Sequence, residues 1–429
     1  MTNLLCNSDF LKFKIETEQC GIKDVLSLSL DGQYVAYAIS RGFIYINDLK
    51  NEKCIETFDM SKDKGDNYIN RDCKFTNDIV WHPFEKHIFG SAHNNNCVYL
   101  WNIKTGKKIA SLKLNMTFHI FNREISRGIN TISWSPNGKL LACGTKDFKI
   151  IIWNLLTNKT HIIKGHTGGV SSFVWSLDGT KLISGSYDNT INLWNVSNYI
   201  KLDILPPILS SEQLENPLDS LPILPSTLPI MSIKLKPLKN GIKSVLYGIK
   251  TPDNKERIKL TLCNTFKEHN SMIYNLSLSP CGKFLACSGF DKIINIWNII
   301  TLEHKSRFEY SGVSISSMKW LPDGETIAVC LSELDYKICF LNINTGIKKL
   351  EIQFNGLGFI QIDFSLYDWT FIVSTYDQSI YTYNYFGKSN ELASTLLLIL
   401  ATKNKKSELT KRLPIELWNW FAFEFLKLF

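Results

Sequence analysis

Apolar and polar positions alternate over short runs through most of the chain. The pattern is clearest between Gly165 and Val196, where Val170–Trp175, Lys181–Ser186 and Ile191–Val196 each alternate. Leu177-Asp178-Gly179 and Tyr187-Asp188-Asn189 separate the three runs. Alternation with period two, broken by Asp-Gly and Asp-Asn, predicts antiparallel strands joined by tight hairpins. One such sheet is marginal alone, because its faces stay wet. It needs to be stacked on further copies.

The chain supplies the copies. Asp188 precedes Trp194 by six residues, and the spacing recurs at Asp147–Trp153 and Asp291–Trp297. Looser copies are Asn95–Trp101, Asp335–Leu341, Asp377–Tyr383 and Arg41–Asn47. The anchors at 47, 101, 153, 194, 297, 341 and 383 are separated by 54, 52, 41, 103, 44 and 42 residues. A period in the low forties with Gly-His and Trp-Asp-like ends resembles the WD40 repeat family, over roughly residues 10 to 386. Here the copies end in Trp-Asn instead of Trp-Asp. Seven copies imply an all-β fold, a seven-bladed WD40 β-propeller spanning 22–386.

Two regions depart from the rhythm. Residues 198–265 read as an insertion loop: Leu205–Pro229 holds six prolines, and 234–259 holds eight Lys/Arg against two acids. Prolines at that density oppose both sheet and helix. Residues 1–21 include an alternating stretch, Leu11, Phe13 and Ile15, suited to closing the last blade and so removing an open sheet edge. Residues 387–429 lose the alternation, and Glu391–Thr402 and Leu413–Phe429 predict a short C-terminal α-helical extension. Pro414 and Glu416 suit a helix start. A helix apolar nearly all round must be buried, either against a partner or folded back onto the propeller rim as a clasp.

Composition narrows the class. A hydrophobic share of 44% and a charged share of 21% are ordinary for a globular chain, and no apolar run is long enough to span a membrane as a helix. The first eighteen residues lack the apolar core of a signal peptide. Eleven cysteines form no CxxC pair, which reads as reduced thiols in a cytoplasmic or nuclear, not secreted, protein. Cysteine and histidine spacing matches no metal site. There is no phosphate loop, nucleophile elbow or paired carboxylate, so neither cofactor nor enzyme activity is expected.

His166, Ser184 or Ser186, and Asp188 invite a catalytic reading, but His269, Asp291 and Trp297 repeat the set, and a triad would not recur blade by blade. The resemblance instead implies a buried structural hydrogen-bond chain with Trp194 alongside, and Asp147 and Trp153 as further members. It also implies that the residue before the turn aspartate points outward at a partner-binding rim. Those residues are Lys146, Tyr187, Phe290, Leu334 and Tyr376. Leu413-Pro414-Ile415-Glu416-Leu417, followed by Trp420, Phe421 and Phe425, resembles the opening of an F-box. That implies docking of a Skp1-like adaptor and a role as a ubiquitin-ligase adaptor. The net charge of +8 and the basic insertion raise two alternatives, an RNA or ribonucleoprotein partner and a purely structural subunit of a complex.

Overall fold

The structure is a computed structural model that describes residues 4–6, 11–16, 25–39, 42–60, 75–114, 118–120, 123–125, 128–197, 234–237, 243–246, 261–310, 314–332, 337–353, 359–365, 370–375 and 379–384. Among these residues the chain forms seven four-stranded antiparallel blades. Blade 1 is Val25–Leu28, Tyr34–Ile39, Phe43–Asp48 and Lys53–Asp59. Blade 2 is Thr76–Trp81, Ile88–His93, Cys97–Asn102 and Lys107–Lys113. Blade 3 is Ile129–Trp134, Leu140–Thr145, Lys149–Asn154 and Lys159–Lys164. Blade 4 is Val170–Trp175, Lys181–Ser186, Ile191–Asn195 and Thr261–Phe266. Blade 5 is Ile273–Leu278, Phe284–Gly289, Ile293–Asn298 and Glu303–Glu309. Blade 6 is Ser314–Trp320, Thr326–Ser332, Lys337–Asn342 and Lys348–Gln353. Blade 7 is Phe359–Phe364, Thr370–Thr375 and Ser379–Asn384, and its outer strand is Leu11–Glu16 from the other end of the chain.

Burial explains the residue patterns. Second strands such as Leu140–Thr145 are buried at every position, because a neighbouring blade covers each face. Outer strands such as Lys107–Lys113 alternate between exposed and half-buried positions. The Asp-Gly turns form as their residue types dictate. The Ser176 hydroxyl donates to Asp178 Oδ1 at 2.6 Å, which also accepts from Thr180 N at 3.0 Å. Gly179 takes a φ of 70°, and its N–H closes the turn on the Ser176 carbonyl at 2.8 Å. The Trp-Asn ends also have a mechanism. Asn154 Oδ1 accepts from Leu156 N and Thr157 N, both at 3.0 Å. Asn102, Asn298 and Asn342 repeat this, so an amide oxygen is enough where the repeat family has aspartate.

The blades are fastened to one another at their inner strands. Trp81, Trp134, Trp175 and Trp320 each donate an indole N–H to a carbonyl of the preceding blade: Ser27, Val80, Ser133 and Ser277, at 2.9–3.3 Å. The ring closes in the same way. Gln361 Oε1 accepts from Leu26 N at 3.0 Å, and Asp363 Oδ2 accepts from Leu28 N at 2.9 Å. Leu26, Val35, Ile372 and Ile380 share one buried cluster across that seam.

The structure alters the reading of the insertion and adds to it elsewhere. Thr261–Phe266 pairs with Ile191–Asn195, so the insertion assigned to 198–265 ends before a strand that completes blade 4. Thr261, Cys263 and Thr265 alternate with apolar Leu262 and Phe266 as an outer strand requires, and the preceding polar stretch hides that pattern. Leu4–Cys6 adds a parallel strand to the outer edge of blade 6, at Glu351–Gln353. No helix occurs among the described elements, and the expected helical segment 387–429 lies outside the described residues. Ser197–Leu260 forms a second unit, in which Lys234–Pro237 pairs antiparallel with Lys243–Leu246. Among the described residues no helix is long and apolar enough to cross a membrane.

Candidate interaction face

The sequence-predicted residues in blade 4 converge on one chain of contacts. His166 Nδ1 lies 2.9 Å from Asp188 Oδ2, and its Nε2 lies 2.8 Å from the Ser184 hydroxyl. Ser184 Oγ in turn accepts the Trp194 indole N–H at 2.8 Å. The network therefore runs Asp188–His166–Ser184–Trp194, with histidine in the middle and tryptophan bonded at the end, not merely packed alongside. It assigns the His166 proton to Nδ1, because Asp188 can only accept there. Ser186 stands apart from this chain and braces the turn, its Oγ accepting the Asp188 backbone N–H at 3.1 Å. Burial pushes the Asp188 carboxyl upward, but hydrogen bonds from His166, Thr190 and the Thr167 N–H outweigh it and hold the group below the usual carboxylate range. Asn192 Nδ2 sits 3.3 Å from His166, and Asn192 Oδ1 accepts from Thr265 at 2.8 Å, which extends the network to the outer strand.

Blade 5 repeats the arrangement with one atom changed. His269 Nδ1 contacts Asp291 Oδ2 at 2.8 Å, but its Nε2 meets Cys287 Sγ at 3.2 Å. A thiol is a poor acceptor, and the buried Trp297 indole N–H beside it makes no hydrogen bond of good geometry among the described residues. Blade 3 is held differently. Asp147 is engaged by the Thr145 hydroxyl and by Lys149 Nζ at 2.5 Å, while Trp153 Nε1 donates to Asn158 at 3.0 Å. Blade 2 brings its histidine from a strand: His93 Nε2 meets Ser91 Oγ at 2.8 Å, and Ser91 accepts from Trp101 at 2.9 Å. Sequence reading missed this set because His93 stands on the second strand itself, where blades 3 and 4 have Thr145 and Ser186. The buried Cys143 and Cys287 thiols are pushed far up by burial, which makes them inert packing groups. No cluster of three potential metal ligands occurs among the described residues.

Three predicted rim residues occupy equivalent places. Lys146 N, Tyr187 N and Phe290 N donate to Gly128, Gly169 and Met272 carbonyls at 3.3, 2.9 and 2.9 Å. Each backbone is thereby pinned at the end of the blade. Tyr187 is 36% exposed and Phe290 63%. Between them stands Tyr274, 40% exposed, which sequence reading had not singled out. Its ring meets Tyr187 at 5.7 Å and 61°, and Phe290 at 6.5 Å and 63°, both edge to face. Met272, 44% exposed, lies against the Tyr274 hydroxyl, with Sδ at 3.9 Å. The result is a continuous apolar shelf over blades 4 and 5. Tyr274 also walls a cavity of about 270 Å³ with Ser172, Asn275, Lys319 and Gln361. Leu334 and Tyr376 lie outside the described residues, as do Leu413, Pro414, Glu416, Leu417, Trp420, Phe421 and Phe425.

The blades form a seven-bladed β-propeller in which these networks join turns to strands beside an exposed loop face. Residues 117–154, 157–195 and 260–298 match the family described as WD domain, G-beta repeat. The second and third matches take in the outer strand of one blade and end on the third strand of the next, so one repeat straddles two blades. The chain is 30% identical over 115 residues to histone acetyltransferase type B subunit 2 of Debaryomyces hansenii, covering 25% of each chain. It is 25% identical over 102 residues to the F-box-like/WD repeat-containing protein TBL1X of Mus musculus, covering 24% of this chain and 19% of that protein. These matches thus span no more than about a quarter of either relative. Among solved structures, a chain of a mitotic checkpoint complex superposes with a TM-score of 0.61 at 15% identity, covering 88% of this chain and 92% of that one. The Cps50 (Swd1) β-propeller domain of Myceliophteria thermophila gives 0.60 at 11% identity, covering 87% and 98%. Both carry the same seven-bladed fold.

Proposed function

We propose that this protein is a non-catalytic interaction scaffold that holds a target protein on the loop face of its propeller. The shelf of Tyr187, Tyr274 and Phe290 carries this reading, since large aromatic side chains left exposed together serve as binding anchors. We further propose that Leu413–Phe429 docks a Skp1-like adaptor and so presents the target to a ubiquitin ligase, in the cytoplasm or nucleus. The Leu-Pro-Ile-Glu-Leu opening at 413–417 supports this step, as does the name of the mouse relative, in which F-box-like and WD repeat occur together. The test is isothermal titration of purified Skp1-like adaptor into the full chain and into Leu417→Asp and Phe421→Asp variants. Binding by the full chain, lost in both variants, is the expected result. If the full chain does not bind, the adaptor step fails. If the variants then also melt early, the segment is a clasp on its own propeller.

The basic hairpin supports a second reading. Lys234, Lys236 and Lys243 lie within the paired residues of Ser197–Leu260, a charge pattern suited to RNA phosphates. RNA binding through it would weaken steeply with salt and would be insensitive to Leu417→Asp.

A further inference from the structure

The partner's chemistry can be read from the charges that surround the shelf; this inference rests on the proposal that the loop face binds a target. The turn aspartates are not available to a partner. Asp188 and Asp291 are bound to His166 and His269, with side chains only 8% exposed. Asp147 is engaged by Lys149. The lysines of the same loops lie further out. Lys164 and Lys267 are exposed, each two residues before a network histidine, and Lys146 and Lys292 are half-exposed beside the turn aspartates. Among the described residues at this end of blades 3 to 5, the exposed acids are Glu268 and Glu309, and Glu309 is paired with Arg307. The networks thus draw the negative charge inward and leave an apolar shelf within a positive border.

The cavity beside the shelf adds a polar feature. Ser172 Oγ, in its lining, has no hydrogen-bond partner among the described residues, and Lys319 Nζ lies in the same lining, 3.3 Å from Asp363 Oδ1. An uncompensated buried hydroxyl favours an occupant that brings a polar group.

We infer that the shelf of Tyr187, Tyr274, Phe290 and Met272 binds an acidic peptide segment. Its apolar anchors lie on the rings, and its Asp or Glu side chains face Lys164 and Lys267. Single-stranded nucleic acid fits less well. The shelf rings already pack edge to face on one another, whereas successive bases require open ring faces.

The experiment is selection of a random 12-residue phage-displayed peptide library on the full chain. Enriched peptides and a labelled (U)12 oligonucleotide are then titrated against variants. Tyr274→Ala and Phe290→Ala change exposed side chains, and their thermal melts report whether the fold is intact. The inference expects enriched peptides that combine Asp or Glu with aromatic or aliphatic residues. Their affinity should fall about tenfold or more in Tyr274→Ala and Phe290→Ala, and about threefold in Lys267→Glu, the latter vanishing at high salt. Peptides that need the shelf but are neutral or basic overturn this inference and leave the loop-face reading standing. Peptides insensitive to both aromatic substitutions overturn both. Tight (U)12 binding lost in Tyr274→Ala replaces the peptide with nucleic acid.

Discussion

Blades 2 to 5 and blades 6, 7 and 1 reach the same fold by different interior chemistry. In blades 2 to 5 the third strand carries Trp101, Trp153, Trp194 and Trp297, each paired two residues short of Ser91, Cys143, Ser184 or Cys287 on the second strand. In blades 6, 7 and 1 the anchors are Leu341, Tyr383 and Asn47, and the matching second-strand positions hold Val329, Val373 and Tyr37. In no blade is a tryptophan here matched with valine, or a leucine with serine. Ser91 and Ser184 accept the indole N–H of Trp101 and Trp194, whereas Trp153 turns to Asn158 and Trp297 faces a thiol, so the second-strand residue decides how the indole is satisfied. The blade itself depends on neither. It rests on the apolar faces shared between neighbours, as with Phe340, Phe371 and Tyr383 in one cluster of blades 6 and 7. The polar network is a local fastening that joins turn to strand, added to a sheet that burial already holds.

Substitutions can break or sharpen that contrast. Trp194→Ala removes the side chain that both fills and bonds blade 4, and should cost about 3–5 kcal/mol in urea unfolding. A loss near that of a surface site would show that the network blades tolerate voids. Reciprocal exchange of the acceptor comes next. Ser184→Val strands the Trp194 N–H and one nitrogen of His166, for about 2–3 kcal/mol. Val329→Ser, placed where no donor awaits it, should cost about 1–3 kcal/mol. If Ser184→Val is neutral, the coupling of the two positions is accidental. Cys287→Ser gives blade 5 the oxygen that blade 4 has, and should stabilise by about 0.5–1 kcal/mol, read as a higher Tm. A lower Tm would mean that sulfur volume matters more than the missing acceptor.

Two carboxylates, one at the rim and one on an inner strand, differ in the sign of their pH response. Asp188 is held below its ordinary range, so its contribution is present above about pH 4 and is lost as pH falls from there. Asp78 lies on the inner strand of blade 2 and is pushed up to about 6, because its burial outweighs the bonds it accepts from Ile132 N, Thr131 and Ile79 N. A raised carboxylate works in the opposite direction: its contribution is complete below about pH 4 and is lost as pH rises to about 6. Melting curves across pH 3–7 should therefore flatten at the acid end in Asp188→Asn, and between about 4 and 6 in Asp78→Asn. No change in slope for either variant would contradict these assignments.

Strand alternation, Asp-Gly turns and the six-residue Asp-to-Trp spacing are local features, so the sequence alone determined the sheet type, the count of seven blades and most of the blade 4 network. Each depends on residues whose side chains meet within one hairpin or across one strand pair, where spacing fixes direction. Other features were decided only by the tertiary structure. Thr261–Phe266 completes blade 4 from beyond a proline-rich insertion, and Leu4–Cys6 lies on blade 6. The indoles of Trp81, Trp134, Trp175 and Trp320 reach carbonyls of another blade. Tyr274 comes to stand between Tyr187, in the blade before its own, and Phe290. These contacts arise from blade-to-blade packing and ring closure, which the alternation within one hairpin does not specify.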